Sequence, residues 1–332
     1  MARVTLQDVA QHAGVSRATA SMVVRGTGRL SPETRLRVRQ SMDSLGYVYH
    51  RGAASLRTRR SGVIGLLTTD VSNPFFAAMT RGFEEEAALG GFLTMMTNTL
   101  DDPERQARLA QSMLEYPVDA LAYTPAVRDG EPHAITDTSV PMLAVTRGSL
   151  SDEPYLGPDD VAGGLLAAEH LIEFHGYRRI VYLGGPRGAG PREDRLSSVR
   201  AVAARHPDVE VVADFPGVTN VAGGVELAER LLASGLEFDA VVCHSDVVAF
   251  ALFAALRQVG REHDVAAVGF DGLPESALFW PPITSVGVGP ETLGSAAARW
   301  LMNALDGAPG PMRTLLEPRL EIRSSCGCHP DA

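Results

Sequence analysis

The stretch TLQDVAQHAGVSRATASMVVRG, from Thr5 to Gly26, reads as two short helices joined by a tight turn. Thr5 and Asp8 occupy the positions of a Thr-x-x-acid helix start, where hydroxyl and carboxylate each satisfy a backbone amide of the other. Val9, Ala10 and Ala13 recur at helical spacing, and Gly14 supplies the reversal. Ser16 caps a second helix, whose Ala20, Val23 and Val24 point inward. Arg17, Ala18, Ser21, Met22 and Arg25 then share its outer face, which is short, polar and basic. Ser31-Pro32-Glu33 starts a third helix, with Ser as cap and Pro at the first helical position, running through Leu36, Val38, Met42 and Leu45 to Gly46. Three such helices make a helix-turn-helix unit, whose second helix enters a DNA major groove. Thr5, Ser16 and Thr19, at the helix starts, join the outer face as candidate DNA contacts.

A small helical subdomain of an enzyme would show the same helices, so charge has to decide. Residues 1–60 hold eleven Arg against three acids, Asp8, Glu33 and Asp43, a net charge of +8. The whole chain stands at -10, which leaves -18 on residues 61–332. A basic head on an acidic body points to a DNA-binding module joined to a soluble partner domain.

With 332 residues the chain is long enough for two or three domains of about 100 to 200 residues each. Met1-Ala2-Arg3-Val4-Thr5 leads into the first helix without the apolar run of a signal peptide. The longest apolar candidate, Val247 to Leu256, is about half of the roughly 20 residues a spanning helix needs. Three Cys make no disulfide framework, so the expectation is a cytoplasmic protein without membrane contact. All thirty basic residues are Arg, which excludes a Walker A lysine, a Schiff-base lysine and a Ser-x-x-Lys nucleophile together.

Residues 49–60, YHRGAASLRTRR, are short, basic and rich in small residues, and read alone as a linker, since an isolated helix this short is marginal and Gly52 weakens it further. From Val63 onward, apolar runs such as 63–67, 120–123, 180–183 and 240–243 alternate with helical stretches such as 74–89, 103–115, 221–233 and 290–305. That alternation predicts an α/β body of parallel sheets covered on both faces, with more than one sheet. Ligands in such folds bind beyond the carboxyl ends of the strands. Those ends carry the candidate effector-binding residues Asn73, Phe75, Tyr123, Arg147, Arg195, Ser245 and Asp271. The rival readings are a core role for Phe75 and a plain inter-loop ion pair for Arg195 and Asp271.

Other chemistry fares less well. Gly184 to Gly190 follows a strand and precedes a helix, but its spacing is wrong for a dinucleotide-binding loop. Cys326-Gly-Cys328-His329 offers too few ligands for a closed zinc site and reads as an untethered tail. His244 beside Asp246, and His170 with His175, lack a nucleophile at a recognisable elbow and read as surface or packing histidines. No cofactor and no metal are expected.

The run VTLQDVAQHAGVSRATAS, followed by VSNPFFAAMTRGFEEEA, AAEHLIEFHGYRRI and VGFDG, resembles the lactose-repressor family of bacterial transcription regulators over nearly the whole chain. The resemblance implies a helix-turn-helix domain at 1–48, a hinge at 49–60 and a periplasmic-binding-protein-like domain at 61–325 that binds an effector and dimerises, followed by a flexible tail at 326–332. It implies one lobe from 61–158 and 287–322 and another from 159–286, joined by three crossovers. It also implies a homodimer on double-stranded operator DNA, a Leu56 that wedges into the minor groove, and Arg195 and Asp271 as holders of a small effector, a sugar or sugar derivative. Thr146 and Ser245 depart from the Asp and Asn of sugar-responsive members, which removes bidentate capacity toward vicinal diols. A two-lobed solute-binding protein would need a signal peptide and no basic head. An α/β enzyme would need a catalytic constellation that these residues do not supply.

Overall fold

The computed structural model describes residues 4–24, 26–48, 60–128, 130–136, 139–148 and 152–328, and the chain divides into two compact units, residues 1–61 and 62–332. Arg25, Leu56 and the hinge segment 49–59 lie outside the described residues.

The first unit holds α1 (Leu6–His12), α2 (Arg17–Val24) and α3 (Pro32–Leu45). Local chemistry sets each boundary. The Thr5 amide donates to Asp8 Oδ2 at 2.7 Å while the Asp8 amide donates to Thr5 Oγ1 at 3.3 Å, closing the reciprocal box. Ser16 Oγ accepts from the Thr19 amide at 3.0 Å, and Ser31 Oγ from the Thr34 amide at 3.2 Å. Gly14, at φ 61°, turns the chain between α1 and α2. Val9, Ala10, Ala13, Ala20, Val23 and Val38 form the buried core. Leu36 is 57% exposed, because two residues on a helix diverge by about 200° and Val38 takes the inward position.

The second unit begins with β1 (Val63–Thr68), α4 (Pro74–Leu89), β2 (Leu93–Asn98), α5 (Pro103–Glu115), β3 (Ala120–Tyr123), the hairpin β4 (Ala126–Arg128) and β5 (Glu131–His133), β6 (Met142–Val145) and β7 (Tyr155–Pro158). The chain continues through α6 (Asp160–Glu169) with a π-helical turn at His170–Phe174, β8 (Arg179–Leu183), α7 (Gly190–Ala203), β9 (Glu210–Phe215) and α8 (Val221–Ala233). After β10 (Ala240–Cys243), α9 (Asp246–Gln258), β11 (Ala266–Phe270) and β12 (Thr284–Gly287), it ends with α10 (Pro290–Leu305), β13 (Arg313–Leu316) and β14 (Arg319–Glu321). Two six-stranded sheets result, ordered β13-β7-β6-β3-β1-β2 and β14-β12-β11-β10-β8-β9. All pairings within them are parallel except that of β14 with β12.

Each sheet is buried on both faces, which explains the continuous apolar runs. Ile64 and Leu66 pack with Phe83, Leu143 and Leu301 on one face, whereas Leu67, Leu121 and Tyr123 pack with Met113 on the other. In both sheets the strand order reverses beside the first strand, between β1 and β3 and between β8 and β10. The carboxyl ends at such reversals are where an open α/β sheet receives a ligand.

Three expectations need correction. The chain crosses from lobe to lobe after β7, after β12 and after β13, so the third crossing precedes residue 319 and β14 belongs to the second lobe, not the first. Leu320, the one apolar residue of β14, pairs with Val286 and packs toward that lobe's core. Arg195, expected at a strand end, sits instead on α7, beyond the cap at Ala189. The tail is tethered at its start, since Ser325 Oγ donates to Ala267 O at 2.8 Å and Cys326 is fully buried. No helix among the described residues is long and apolar enough to cross a membrane.

Candidate DNA-reading face and effector cleft

On α2, Arg17 and Ala18 are exposed, whereas Ser21 and Met22 are half-buried. The Met22 thioether lies over Gly28, where a Cβ would meet its sulfur at 2.8 Å. The hydroxyls of Ser16 and Thr19 are 2.9 Å apart and serve the cap, and that of Thr5 donates to Asp8 at 2.7 Å. These three shape the unit, and Arg17 is the exposed cation among the described residues of α2.

The cleft between the lobes gathers Asn73, Phe75, Arg147, Arg195, Ser245 and Asp271. Tyr123 is not among its walls. It lies fully buried beneath α5, bonded through its hydroxyl to Glu153, because alternation along β3 turns it to the α5 face instead of the strand end. The floor is formed by all three crossings, through Pro158 and Asp160, Gly287 and Val288, and Pro318. Among the described residues, every non-glycine residue with positive φ lines this cleft or its mouth: Leu100 (55°), Asp101 (57°), Thr146 (63°) and Asp271 (111°). Left-handed backbone at a non-glycine residue is strained, and strain of this kind gathers at ligand clamps.

Arg195 is held from three sides. Its Nε and Nη2 each lie 2.7 Å from Asp160 Oδ1, its Nη1 donates to His244 O at 2.7 Å, and its guanidinium carbon sits 4.2 Å over the Phe270 ring. Gly164 permits the close approach of α6 to α7 that makes this pair, since a Cβ there would meet Arg195 O at 2.8 Å. The ion pair at this position is therefore with Asp160, a residue the sequence did not mark, and not with Asp271.

Asp271 is different. Its Oδ2 is buried and accepts no hydrogen bond from the described residues. Burial, and then the neighbouring Asp246 carboxylate, hold its carboxyl well above the usual range. Asp246 accepts from the Leu273 amide at 2.9 Å, Ser276 Oγ at 2.8 Å and Ser285 Oγ at 2.6 Å, which fixes the loop that carries Asp271, and burial pushes it up to about 7. His244, read as packing, also faces the cleft. Its Nδ1 lies 2.9 Å from the Tyr182 hydroxyl, and burial, with Arg195 and Arg147 adding, holds it well below the usual range, hence neutral.

Asn73 spans the lobes. Its Oδ1 accepts from the Phe75 amide at 3.0 Å while its Nδ2 donates to Thr219 O at 3.0 Å in the other lobe. Ser245 Oγ accepts from the Val248 amide at 3.4 Å as the α9 cap, and Arg147 Nη1 donates to Asp101 at 2.8 Å near the mouth. Phe75 meets Phe76 edge to face at 5.2 Å, so the first lobe contributes an aromatic wall to the cleft that Arg195 and Asp271 of the second lobe also line.

A helix-turn-helix head carried in one chain with a two-lobed, cleft-bearing α/β domain defines a DNA-binding transcription regulator. Residues 5–49 match the family of bacterial regulatory proteins, lacI family, and residues 64–309 match the periplasmic binding protein domain. The chain is 31% identical over 309 residues to the ribose operon repressor of Halalkalibacterium halodurans, covering 92% of this chain and 91% of that one. It is 31% identical over 339 residues to the HTH-type transcriptional regulator CelR of Thermobifida fusca, covering 97% and 98%. A crystal structure of the lac repressor dimer bound to operator and the anti-inducer ONPF shares the fold, with a TM-score of 0.84 at 23% identity over 98% of this chain and 99% of that one. The chain belongs to the lacI family of bacterial regulatory proteins.

Proposed function

We propose that this chain represses transcription as a homodimer on a pseudo-palindromic operator, and that a small polyhydroxylated metabolite, a sugar or sugar derivative, controls it from the cleft. The observation that carries the ligand class is the buried Asp271 Oδ2, which has no hydrogen-bond partner among the described residues, in a cleft that Phe75 and Phe76 also line. A buried carboxylate oxygen without a donor is costly, and a ligand hydroxyl supplies the donor while the apolar ring face covers Phe75. The ribose operon repressor among the relatives agrees with this class. Control follows by linkage: a ligand that binds one arrangement of the lobes more tightly shifts their equilibrium, and with it the spacing of the two heads.

Thermal-shift screening of pentoses, hexoses, nucleosides and sugar phosphates finds the ligand, since saturation at 100 times Kd raises stability by about 2.7 kcal/mol. Asp271→Asn is then expected to weaken that ligand about 10- to 150-fold, the loss of one charge-assisted contact. The pH dependence has a definite sign. A carboxyl raised in the folded state favours folding when protonated, so the apoprotein loses stability as pH rises from about 4 through that titration, and Asp271→Asn has a shallower fall. Ligand hydroxyls donate to the ionised form, so affinity tightens with rising pH in the wild type. Calorimetry at several pH values that gave identical affinities in wild type and variant would move the site elsewhere.

Recognition rests on α2. Met22 donates no hydrogen bond and offers only apolar contact, such as to a thymine methyl, whereas Arg17 can bond guanine O6 and N7 for about 1 to 3 kcal/mol of discrimination. Site selection from a random duplex library is expected to lose one symmetric guanine preference in Arg17→Ala and to gain another in Met22→Arg. Unchanged half-sites in both variants would show that this face does not read bases.

A further inference from the structure

We propose that His170, His175, Cys326 and Cys328 form a tetrahedral zinc site that clips the C-terminal segment onto the second lobe. Their four ligand atoms all lie within 4.8 Å of one another. Neither half of this set suffices alone. The two cysteines are too few for a closed site, and two histidines five residues apart point to different faces of an α-helix. The π-helical turn removes that obstacle: the His175 amide bonds His170 O at 3.2 Å, an i to i+5 closure that brings the rings to 4.8 Å between centroids.

The other half is delivered by β14. The antiparallel pairing with β12 leads the chain past Pro282, whose carbonyl accepts from the Ser325 amide at 2.9 Å, and into the core at Cys326. Gly327 then turns at φ 93°, and a Cβ there would strike the Tyr177 hydroxyl at 2.6 Å, so glycine alone lets both thiols of this Cys-x-Cys converge. Cys328 Sγ ends 3.2 Å from His175 Nε2 and 3.9 Å from His170 Nε2. Tetrahedral zinc with two sulfurs and two nitrogens needs ligand separations of about 3.3 to 3.8 Å, so movements of about 1 Å or less complete the site. An outer shell is already present: Thr284 Oγ1 donates to Cys326 Sγ at 3.1 Å, the bond a thiolate ligand accepts.

The donor set selects the ion. Two thiolates and two imidazoles suit zinc and disfavour magnesium or calcium. Binding exchanges two thiol protons for one divalent cation, leaving a neutral cluster. The cluster is distinct from the effector cleft, since α6 presents Asp160 to the cleft at its start and His170 follows its far end, about 15 Å along the helix.

The test uses the full chain without a histidine tag, purified under reducing conditions. Elemental analysis after dialysis is expected to show about one zinc per chain, and cobalt(II) added to the chelator-stripped protein is expected to give thiolate-to-cobalt charge-transfer bands with tetrahedral d–d bands. Zinc should raise Tm, and a chelator should reverse the rise. Cys328→Ser and His175→Ala should each weaken zinc at least about tenfold, the loss that outer-shell changes alone produce. Cys243→Ala, whose thiol lies in another core cluster, should keep it. A wild-type cobalt spectrum without charge-transfer bands, or metal content unaltered by Cys328→Ser, would overturn the proposal.

Discussion

Deleting residues 1–60 is expected to abolish operator binding, specific and non-specific alike. The segment carries +8 and leaves a body at -18, which a polyanion repels. Specific binding typically exceeds non-specific binding by about 10³ to 10⁷, and that whole margin resides in the head and the segment that follows it. The intact chain should show the electrostatic counterpart: with six to ten phosphate contacts, affinity falls about 10³- to 10⁵-fold between 50 and 200 mM salt. Fluorescence anisotropy over that range checks both statements. Retention of operator affinity by residues 61–332 would place DNA recognition in the acidic body and undo the reading of α2.

The second large effect is on stability. Arg195→Ala is expected to cost about 3 to 5 kcal/mol, because it strands the buried Asp160 carboxylate without its partner. Both side chains are under a tenth exposed, so solvent offers little compensation. A single domain has only about 5 to 15 kcal/mol in all, so the variant should melt many degrees lower and lose the ligand as well. Asp271→Asn should behave oppositely, weakening the ligand while keeping or gaining stability, since Asp271 Oδ2 has no hydrogen-bond partner among the described residues to strand. Urea unfolding of the two variants separates the roles. A cost below about 1 kcal/mol for Arg195→Ala would mean that the pair with Asp160 adds nothing beyond a surface bridge.

How much could be read in advance depended on how local the cause was. The head was legible because its boundaries are set within three or four residues, by Thr5 with Asp8, Ser16 with Thr19, and Ser31 with Thr34. The alternation of strands and helices was legible because each parallel strand is buried on both faces. That same double burial hid Tyr123, since a run apolar on both faces does not show which residue points to which side. Short β14 has one apolar residue and gave no period, so the last crossing was placed too late. Asp160 and Arg195 stand 35 residues apart and meet only through the packing of α6 on α7, which no spacing rule conveys. His170 and His175 were visible as residues, but their convergence needs a π-helical turn, and a helical wheel of ordinary period separates them.

Occupancy of the cleft is expected to govern the DNA-reading head. Operator affinity should therefore be titrated by anisotropy with and without the ligand that thermal shift identifies, in wild type and in Asp271→Asn. A coupling of about 1 to 3 kcal/mol, a 5- to 150-fold change in operator Kd, is expected in the wild type at saturating ligand, and the variant should need about 10- to 150-fold more ligand to reach it. A ligand that stabilises the wild type yet leaves its operator Kd unchanged would contradict the account.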